Sequence, residues 1–472
     1  MTGLLQAEPV ARVSAALRDG PVAWLVGGVV RDDLLGRPVR DVDLAVQGDP
    51  EAAARTLARE LRGPVFCLSE QFGAWRVLDA DRRFVCDISP LQGTTIEEDL
   101  GHRDFTVNAM AVPLADGETI DPHGGRADLE AGRLRVLGAQ AYDHDPLRAL
   151  RLVRLAAELG LAPDAETERL TATAAPRLSE PSPERVFAEL RRTVVAPGAL
   201  EGLGLGARLG VLGAVLPELT ALKGIEQSRF HHLDVFDHTM EVLRRLIELE
   251  GDLPSVFGDL AGPLRDQLAQ PLADELSRGQ ALRLAALFHD VAKPATRGVR
   301  ADGKVTFIGH DSAGQDMVGQ IFRRLRTSER LGAYVGKLTR EHLVLGFMVH
   351  RGPLEARAIH SYLRRTEPVE VEVTLLSCAD RMATRGEGQE PWVAAHLELA
   401  REVMGPALAW RAHGPPRPLL RGDELAEELG ITPGPEVGEL LDSLEAAVYA
   451  GEVSDRTQAV DHARRMRQTR LR

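Results

Sequence analysis

WLVGGVVRDDLLGRPVRDVDLAV, residues 24–46, decides how this chain is read. An apolar run ends in Gly27-Gly28, an amphipathic stretch follows, and after the tight GRPVR turn a second apolar run opens on Asp41-Val42-Asp43. That order predicts strand, glycine turn, helix and strand. Side chains two apart on a strand share a face, with Cα atoms roughly 6.5–7 Å apart, so Asp41 and Asp43 offer two carboxylates on one side. Such a pair can hold Mg²⁺, a hard cation that takes oxygen ligands and keeps substrate phosphates in its shell. Glycines at a helix start let backbone N–H groups approach a phosphate. A lone DxD is usually a solvated strand start and a lone GG a turn. Their succession in one short stretch predicts a phosphoryl-transfer site.

Residues 1–138 read as mixed α/β, with short apolar runs at 23–26, 44–46, 64–67, 76–78 and 84–88 and a helical pattern at 52–61. Beyond residue 137 the texture changes to Leu/Ala/Arg/Glu segments with apolar residues three and four apart, the period of helices. Prolines 176, 181 and 183 separate these segments, and SPER suits a helix start, with Ser182 as cap, Pro183 in the first turn and Glu184 at the positive end. Eight of the fourteen histidines, His231, His232, His238, His289, His310, His342, His350 and His360, gather in the stretch of about 140 residues that follows Gly224. HGPPRP at 413–418 then precedes a last helical segment. The expected fold class is α+β: a small N-terminal mixed β-sheet domain (1–138), a helical section (139–224), a histidine-bearing helical domain (225–400) and a helical tail (401–472).

The chain has 472 residues, 44% hydrophobic and 27% charged, and lacks a run of about 18 apolar residues, which excludes a spanning helix. Residues 1–20 carry charges throughout and lack a signal peptide's apolar centre. Three cysteines, Cys67, Cys86 and Cys378, exclude a disulfide framework and fit a reducing cytoplasm. A net charge of −13 argues against nucleic acid only on average, since the tail at 461–472 holds five Arg against one Asp. With only Lys223, Lys293, Lys304 and Lys337 in the chain, Arg is the default cation and no single Arg stands out by type.

Residues 26–46 closely resemble the first motif of the nucleotidyltransferases of the DNA polymerase β superfamily, specifically the bacterial tRNA nucleotidyltransferase and poly(A) polymerase family. The resemblance implies that Asp41 and Asp43 carry catalytic Mg²⁺ and that Gly27, Gly28 and Arg31 handle the incoming triphosphate. Asp87, ending FVCDIS, falls where some superfamily members place a third carboxylate. EEDLGHRDFTVNAMAV, 97–112, puts Asp104 and Asn108 four apart, on one face if helical. It is similar to the family's RRDFTxNAMA motif, with His102 in place of the first Arg, which implies a ribose-binding role for Asp104 and Asn108 with Arg103 beside the phosphates. DPHGG at 121–125 matches the family's hinge turn.

DHDPLRALRLVRLAAELG, 143–160, places Asp145 and Arg148 three apart, a carboxylate beside a guanidinium on one helix face. Cytosine and adenine present an amino donor next to a ring-nitrogen acceptor, which such a pair complements; uracil and guanine would leave buried groups unpaired. The stretch looks like the family's EDxxR template motif, with His144 in place of the first acid, and the resemblance adds Arg151 to the nucleotide-binding set. SPERVFAELRR, 182–192, resembles the helix that supports the template, where structural charges are expected. Family members add CCA, CC or A to tRNA 3′ ends or make poly(A). In full CCA-adding relatives a flexible loop lies between the carboxylate strand and the RRDFTxNA motif; the segment 87–105 is short here, which favours addition of CC from CTP, with ATP as the other candidate nucleotide.

His238 opens a helical pattern, His289-Asp290 closes an apolar one, His310 follows in FIGHDSAG and Asp380 ends TLLSCAD. A buried His-Asp pair is costly unless each group finds a partner, commonly a metal. The spacings resemble the HD phosphohydrolase superfamily. That implies His238, His289, Asp290 and Asp380 as ligands to a divalent transition metal or Mg²⁺, His310 as a second-metal or phosphate contact, and Lys293 near the phosphate. The implied activity is removal of a 2′,3′-cyclic or terminal phosphate from RNA ends; the alternatives are a degenerate HD fold kept for tRNA binding, or a chain that is chiefly an HD phosphohydrolase.

Overall fold

The two aspartates stand in the middle of a sheet, and the strand order puts them there. The computed structural model describes residues 3–470 except 40, 71–72, 82, 228–232, 350–353 and 385–389, so His231, His232 and His350 lie outside the described residues. Internal contacts divide the chain into two units, Met1–Val215 and Leu216–Arg472.

In the first unit, α1 (Glu8–Ala16), β1 (Ala23–Val26), α2 (Gly28–Leu34), β2 (Asp41–Val46) and α3 (Pro50–Leu61) follow one another, then β3 (Val65–Ser69), β4 (Ala74–Leu78) and β5 (Val85–Pro90). A further strand, β6 (Ala111–Pro113), was not expected from the sequence; three residues are too few to show a period. The strands form one mixed sheet in the order β3-β4-β5-β2-β1-β6. Only β2 and β5 pair in parallel, and their register sets Asp43 beside Asp87. Asp49 caps α3 by accepting from the backbone N–H groups of Glu51 (2.8 Å) and Ala52 (3.3 Å). The apolar face of α3, with Leu57 and Leu61, packs with Val42, Leu44, Val77 and Ile88 in the core beneath the sheet.

Two expectations about local structure are corrected. After α4 (Ile96–Gly101), Asp104 and Asn108 do not share an α-helix; Thr106–Asn108 form a single 3-10 turn. Further on, α5 (Gly125–Glu130) and α6 (Ala139–His144) precede α7 (Arg148–Leu159), and Asp145 lies between helices in extended backbone, φ −153° and ψ 99°. Pro146 is the reason, because a proline disfavours helical backbone at the residue before it. After α8 (Ala165–Ala174), α9 (Pro183–Val195) starts where SPER predicts, although the Ser182 side chain makes no capping bond.

The second unit is helical. Val235–Gly251, Arg278–Phe288, His310–Arg324, Glu329–Glu341 and Glu370–Ala383 are among the helices of its first part. The tail helices Gly422–Leu429, Pro435–Tyr449 and Arg456–Arg470 enclose a small core of their own, with Leu425, Leu440, Leu444 and Ala459. No helix among the described residues is long and apolar enough to cross a membrane.

The turn at 121–125 is tightly packed. Asp121 accepts from the N–H groups of Gly125 (2.7 Å) and Arg126 (3.0 Å), and a Cβ at position 125 would fall 2.2 Å from the carbonyl oxygen of Thr106. Gly125→Ala should therefore force the backbone apart beside Asp104 and Asn108 and destabilise the first unit by about 1–3 kcal/mol, read as a lowered denaturation midpoint by circular dichroism.

Candidate functional site

Gly27, Gly28, Arg31, Asp41, Asp43, Arg103, Asp104, Asn108, Arg148 and Arg151 all line one cleft of about 690 Å³ in the first unit. Gly27 turns the chain from β1 into α2 at φ +72°, and a Cβ there would meet the Arg103 guanidinium at 3.0 Å. The glycine is needed both for the backbone and for that approach. Arg103 is held from behind by Asp99, with Nε and Nη2 donating to Oδ2 at 3.2 and 3.0 Å.

Asp41 and Asp43 open β2 on the cleft, and among the described residues neither carboxylate is engaged in a hydrogen bond or ion pair. Burial, reinforced by the neighbouring charge of Asp87, raises Asp43 to about 6. Asp87 is committed elsewhere, because Arg76 grips both its oxygens at 2.7 Å. A half-buried carboxylate that repels two neighbours and has no bonding partner fits a divalent cation with oxygen ligands.

Asp104 and Asn108 meet although the turn between them is not α-helical. Asn108 donates to Asp104 Oδ1 (2.9 Å) and accepts from Arg31 Nη1 (2.6 Å). Burial works against ionised Asp104, but Arg151, at 3.2 Å from its Oδ2, together with the Asn108 hydrogen bond, the charge of Arg148 and the Phe105 N–H, outweighs it and holds the pKa below the usual range. Behind Arg151 runs an alternating network: Glu189 accepts from Arg151 (3.3 Å) and Arg154 (2.5 Å), and Glu158 accepts from Arg154 (2.6 Å) and Arg192 (2.8 and 3.1 Å). Arg37, Arg154 and Arg192 also line the cleft without being assigned to it from the sequence, as does His102, noted there only as a departure from the motif; Arg154 could have been found one turn beyond Arg151 on α7.

Asp145 and Arg148 are not brought together as a free pair. Arg148 lines the cleft and donates to the carbonyl oxygens of His102 (2.9 Å), Arg103 (2.9 Å) and Ala141 (3.2 Å), and burial lowers its pKa. Asp145 does not line the cleft; it accepts from Arg185 at 2.6 Å. His102 and His144, the two departures from the family pattern, lie ring against ring with centroids 5.6 Å apart.

In the second unit His238, His289, Asp290 and Asp380, contributed by two helices and the end of a third, converge in the interior. His238 Nε2 is 3.0 Å from Asp380 Oδ1, and His289 Nε2 is 3.1 Å from Asp290 Oδ2. Lys293 Nζ sits 2.6 Å from the same Asp290 oxygen and donates to Gln227 at 2.7 Å. His310 joins them, as does His342, which the sequence reading left unassigned because EHLVLGF carries no signature; burial, then the charge of His289, pushes His342 down to about 4. His289 Nε2, Asp290 Oδ1 and His310 Nε2 are buried without hydrogen-bond partners. Three orphaned lone-pair atoms around one point fit a metal ion held by imidazole and carboxylate.

Residues 23–135 match the family model described as the Poly A polymerase head domain, 160–223 the probable RNA and SrmB-binding site of polymerase A, and 235–385 the HD domain. An A-adding tRNA nucleotidyltransferase of Deinococcus radiodurans is 36% identical over 446 residues, 93% of this chain and 94% of that protein. A CC-adding tRNA nucleotidyltransferase of Thermus thermophilus is 35% identical over 443 residues, 93% and 92% of the two chains. Among solved structures, a Thermotoga maritima CCA-adding enzyme complexed with tRNA shares the fold, with a TM-score of 0.59 at 20% identity over 96% of this chain and 93% of that one. Relatives this similar over nearly their whole length establish that the chain, which carries the head and HD domains, belongs to the tRNA nucleotidyltransferase family.

Proposed function

We propose that this chain adds C residues to tRNA 3′ ends, using CTP. The observation that carries this reading is the pair of unengaged carboxylates, Asp41 and Asp43, facing a cleft walled by arginines. In it, the terminal hydroxyl of the RNA attacks the α-phosphorus of CTP in line, forming a phosphodiester bond and releasing pyrophosphate. Asp41 and Asp43 would hold Mg²⁺, which supplies positive charge at the phosphoryl oxygens and favours the ionised nucleophile. Arg31 and Arg103, on the Gly27-Gly28 side, neutralise the triphosphate. Asp104, kept ionised by Arg151, accepts from a ribose hydroxyl, and Asn108 orients it. Base selection falls to Arg148, with Asp145 taking part once its pair with Arg185 is exchanged for a base.

The preference for C rests on the connection between β5 and α4, which comprises residues 91–95 and leaves no room for a long loop. The two relatives above differ in the nucleotide they are named for while standing equally near in identity, so the nucleotide is decided by experiment. In the second unit the orphaned His289, Asp290 and His310 atoms support a further activity, metal-dependent hydrolysis of phosphate esters at RNA ends.

Purified protein incubated with tRNA lacking its CCA end and single triphosphates should incorporate C from CTP; efficient A addition to a CC-ended tRNA would overturn the CC reading. Asp41→Ala and Asp43→Ala should each lower incorporation by at least about 10²-fold and spare phosphatase activity, whereas His289→Ala should do the reverse; loss of both activities in either variant would contradict separate sites. Glu189→Ala leaves Arg151 only Asp104 and Arg154 only Glu158 as carboxylate partners, so a loss of about 1–3 kcal/mol is expected in chemical denaturation of the first unit, together with a raised KM for CTP.

A further inference from the structure

We infer that Phe66, exposed on the edge strand β3, is a stacking platform for the last few bases of the RNA strand whose 3′ end is extended in the cleft. The inference rests on the proposed nucleotide addition and deepens it by naming where the RNA lies. Strand register carries two rows of side chains across the sheet. Val42, Cys86, Val77 and Val65 pair in turn from β2 through β5 and β4 to β3, and they pack in the core under the sheet. Asp43, Asp87, Arg76 and Phe66 form the adjacent row, one residue along each strand, and so face the opposite side, because successive side chains alternate. The bond from Arg76 to both oxygens of Asp87 lies on that open face. Phe66 therefore shares a face with Asp41 and Asp43, three strand spacings or roughly 14 Å from Asp43.

In-line attack decides what lies over this ring. The attacking hydroxyl and the leaving pyrophosphate take opposite sides of the α-phosphorus. Gly27, Gly28, Arg31 and Arg103, the groups for the triphosphate, gather where β1 passes into α2, and β1 flanks β2 on the side away from β5. The RNA end then reaches Asp43 from the other side, over β5, β4 and β3, and on the row through Asp43 the side chain it meets at the sheet's edge is Phe66. The fold itself gives no reason for an aromatic residue there. VFCLS, the whole of β3, carries neither charge nor proline, the residues that guard most edge strands. Phe66 is 43% exposed and its neighbour Leu68, at a bulge, 45%, whereas Val65 on the other face packs against the core. Every base has a π face, so a bare aromatic ring holds an RNA strand without reading its sequence. That suits an enzyme whose tRNA substrates differ in sequence near their ends.

The test is equilibrium binding of the full-length chain to tRNA lacking its CCA end, without triphosphate, so that the platform is read apart from the chemistry. Phe66→Ala should raise Kd roughly 5- to 100-fold, the worth of one base stacked on an aromatic ring, and Phe66→Tyr, which keeps a ring, should restore it. Phe66 lies outside the buried core of the sheet, so both variants should fold. An abasic nucleotide placed singly at each of the last four positions of the RNA should, at one of them, weaken the parent by the same factor and leave Phe66→Ala unaffected. Parent-like binding by Phe66→Ala, or abasic effects equal in the two proteins at every position, would overturn the platform. Self-association of the parent that Phe66→Ala abolishes, with tRNA binding unchanged, would overturn it in favour of a contact between copies of this chain. A parent that binds tRNA through Phe66 yet incorporates no nucleotide would leave the platform standing and overturn the proposed reaction.

Discussion

Asp43 and Asp87 sit side by side on the parallel strands β2 and β5, and the repulsion between them organises the first unit's cleft. The structure answers it unequally. Asp87 is neutralised by a bidentate Arg76, while Asp43 is left facing the cleft, its pKa lifted and its charge balanced only at a distance by Arg103 and Arg31. A site left short of positive charge in this way is poised for a cation that arrives with the substrate. Gly27 belongs to the same arrangement, because a side chain there would displace the guanidinium that faces Asp43.

The opposite wall solves the converse problem. Seven arginines along one cleft would repel one another, yet Arg103, Arg151, Arg154 and Arg192 are each paired with a carboxylate, from Asp99, Asp104, Glu189 or Glu158. The acids fix the guanidinium groups in place while the cleft side remains positive, which is what a triphosphate requires. A chain with a net charge of −13 thereby presents a cationic surface where it matters.

Much of this was legible in the sequence, for reasons that differ between motifs. The strand–glycine–helix–strand order of residues 24–46 could be read because alternation and glycine punctuation are local signals. Asp104 and Asn108 were paired by a spacing rule for the wrong element: a 3-10 turn also brings them within 2.9 Å. Asp145 and Arg148 show the limit of the rule, since Pro146 takes Asp145 out of the helix and into the reach of Arg185, which is 40 residues away in sequence. Glu189 was legible only as one of the structural charges of residues 182–192, without its partners, and His342 could not be assigned. Their partners lie on other helices, and long-range packing leaves no mark on the few residues around them.

His289, His310 and His342 each hold Nδ1 against a backbone carbonyl three residues earlier, at 2.8, 2.7 and 2.7 Å, and this anchoring has a consequence. A ligand aimed by a neighbouring side chain loses its aim when that neighbour mutates. Here the aiming groups are the carbonyls of Ala286, Phe307 and Thr339, which every amino acid possesses. The orientation of the rings is thus written into helix ends and turns rather than into side-chain identity, so a substitution at Ala286, Phe307 or Thr339 that keeps the backbone in place keeps the aim of the imidazole as well.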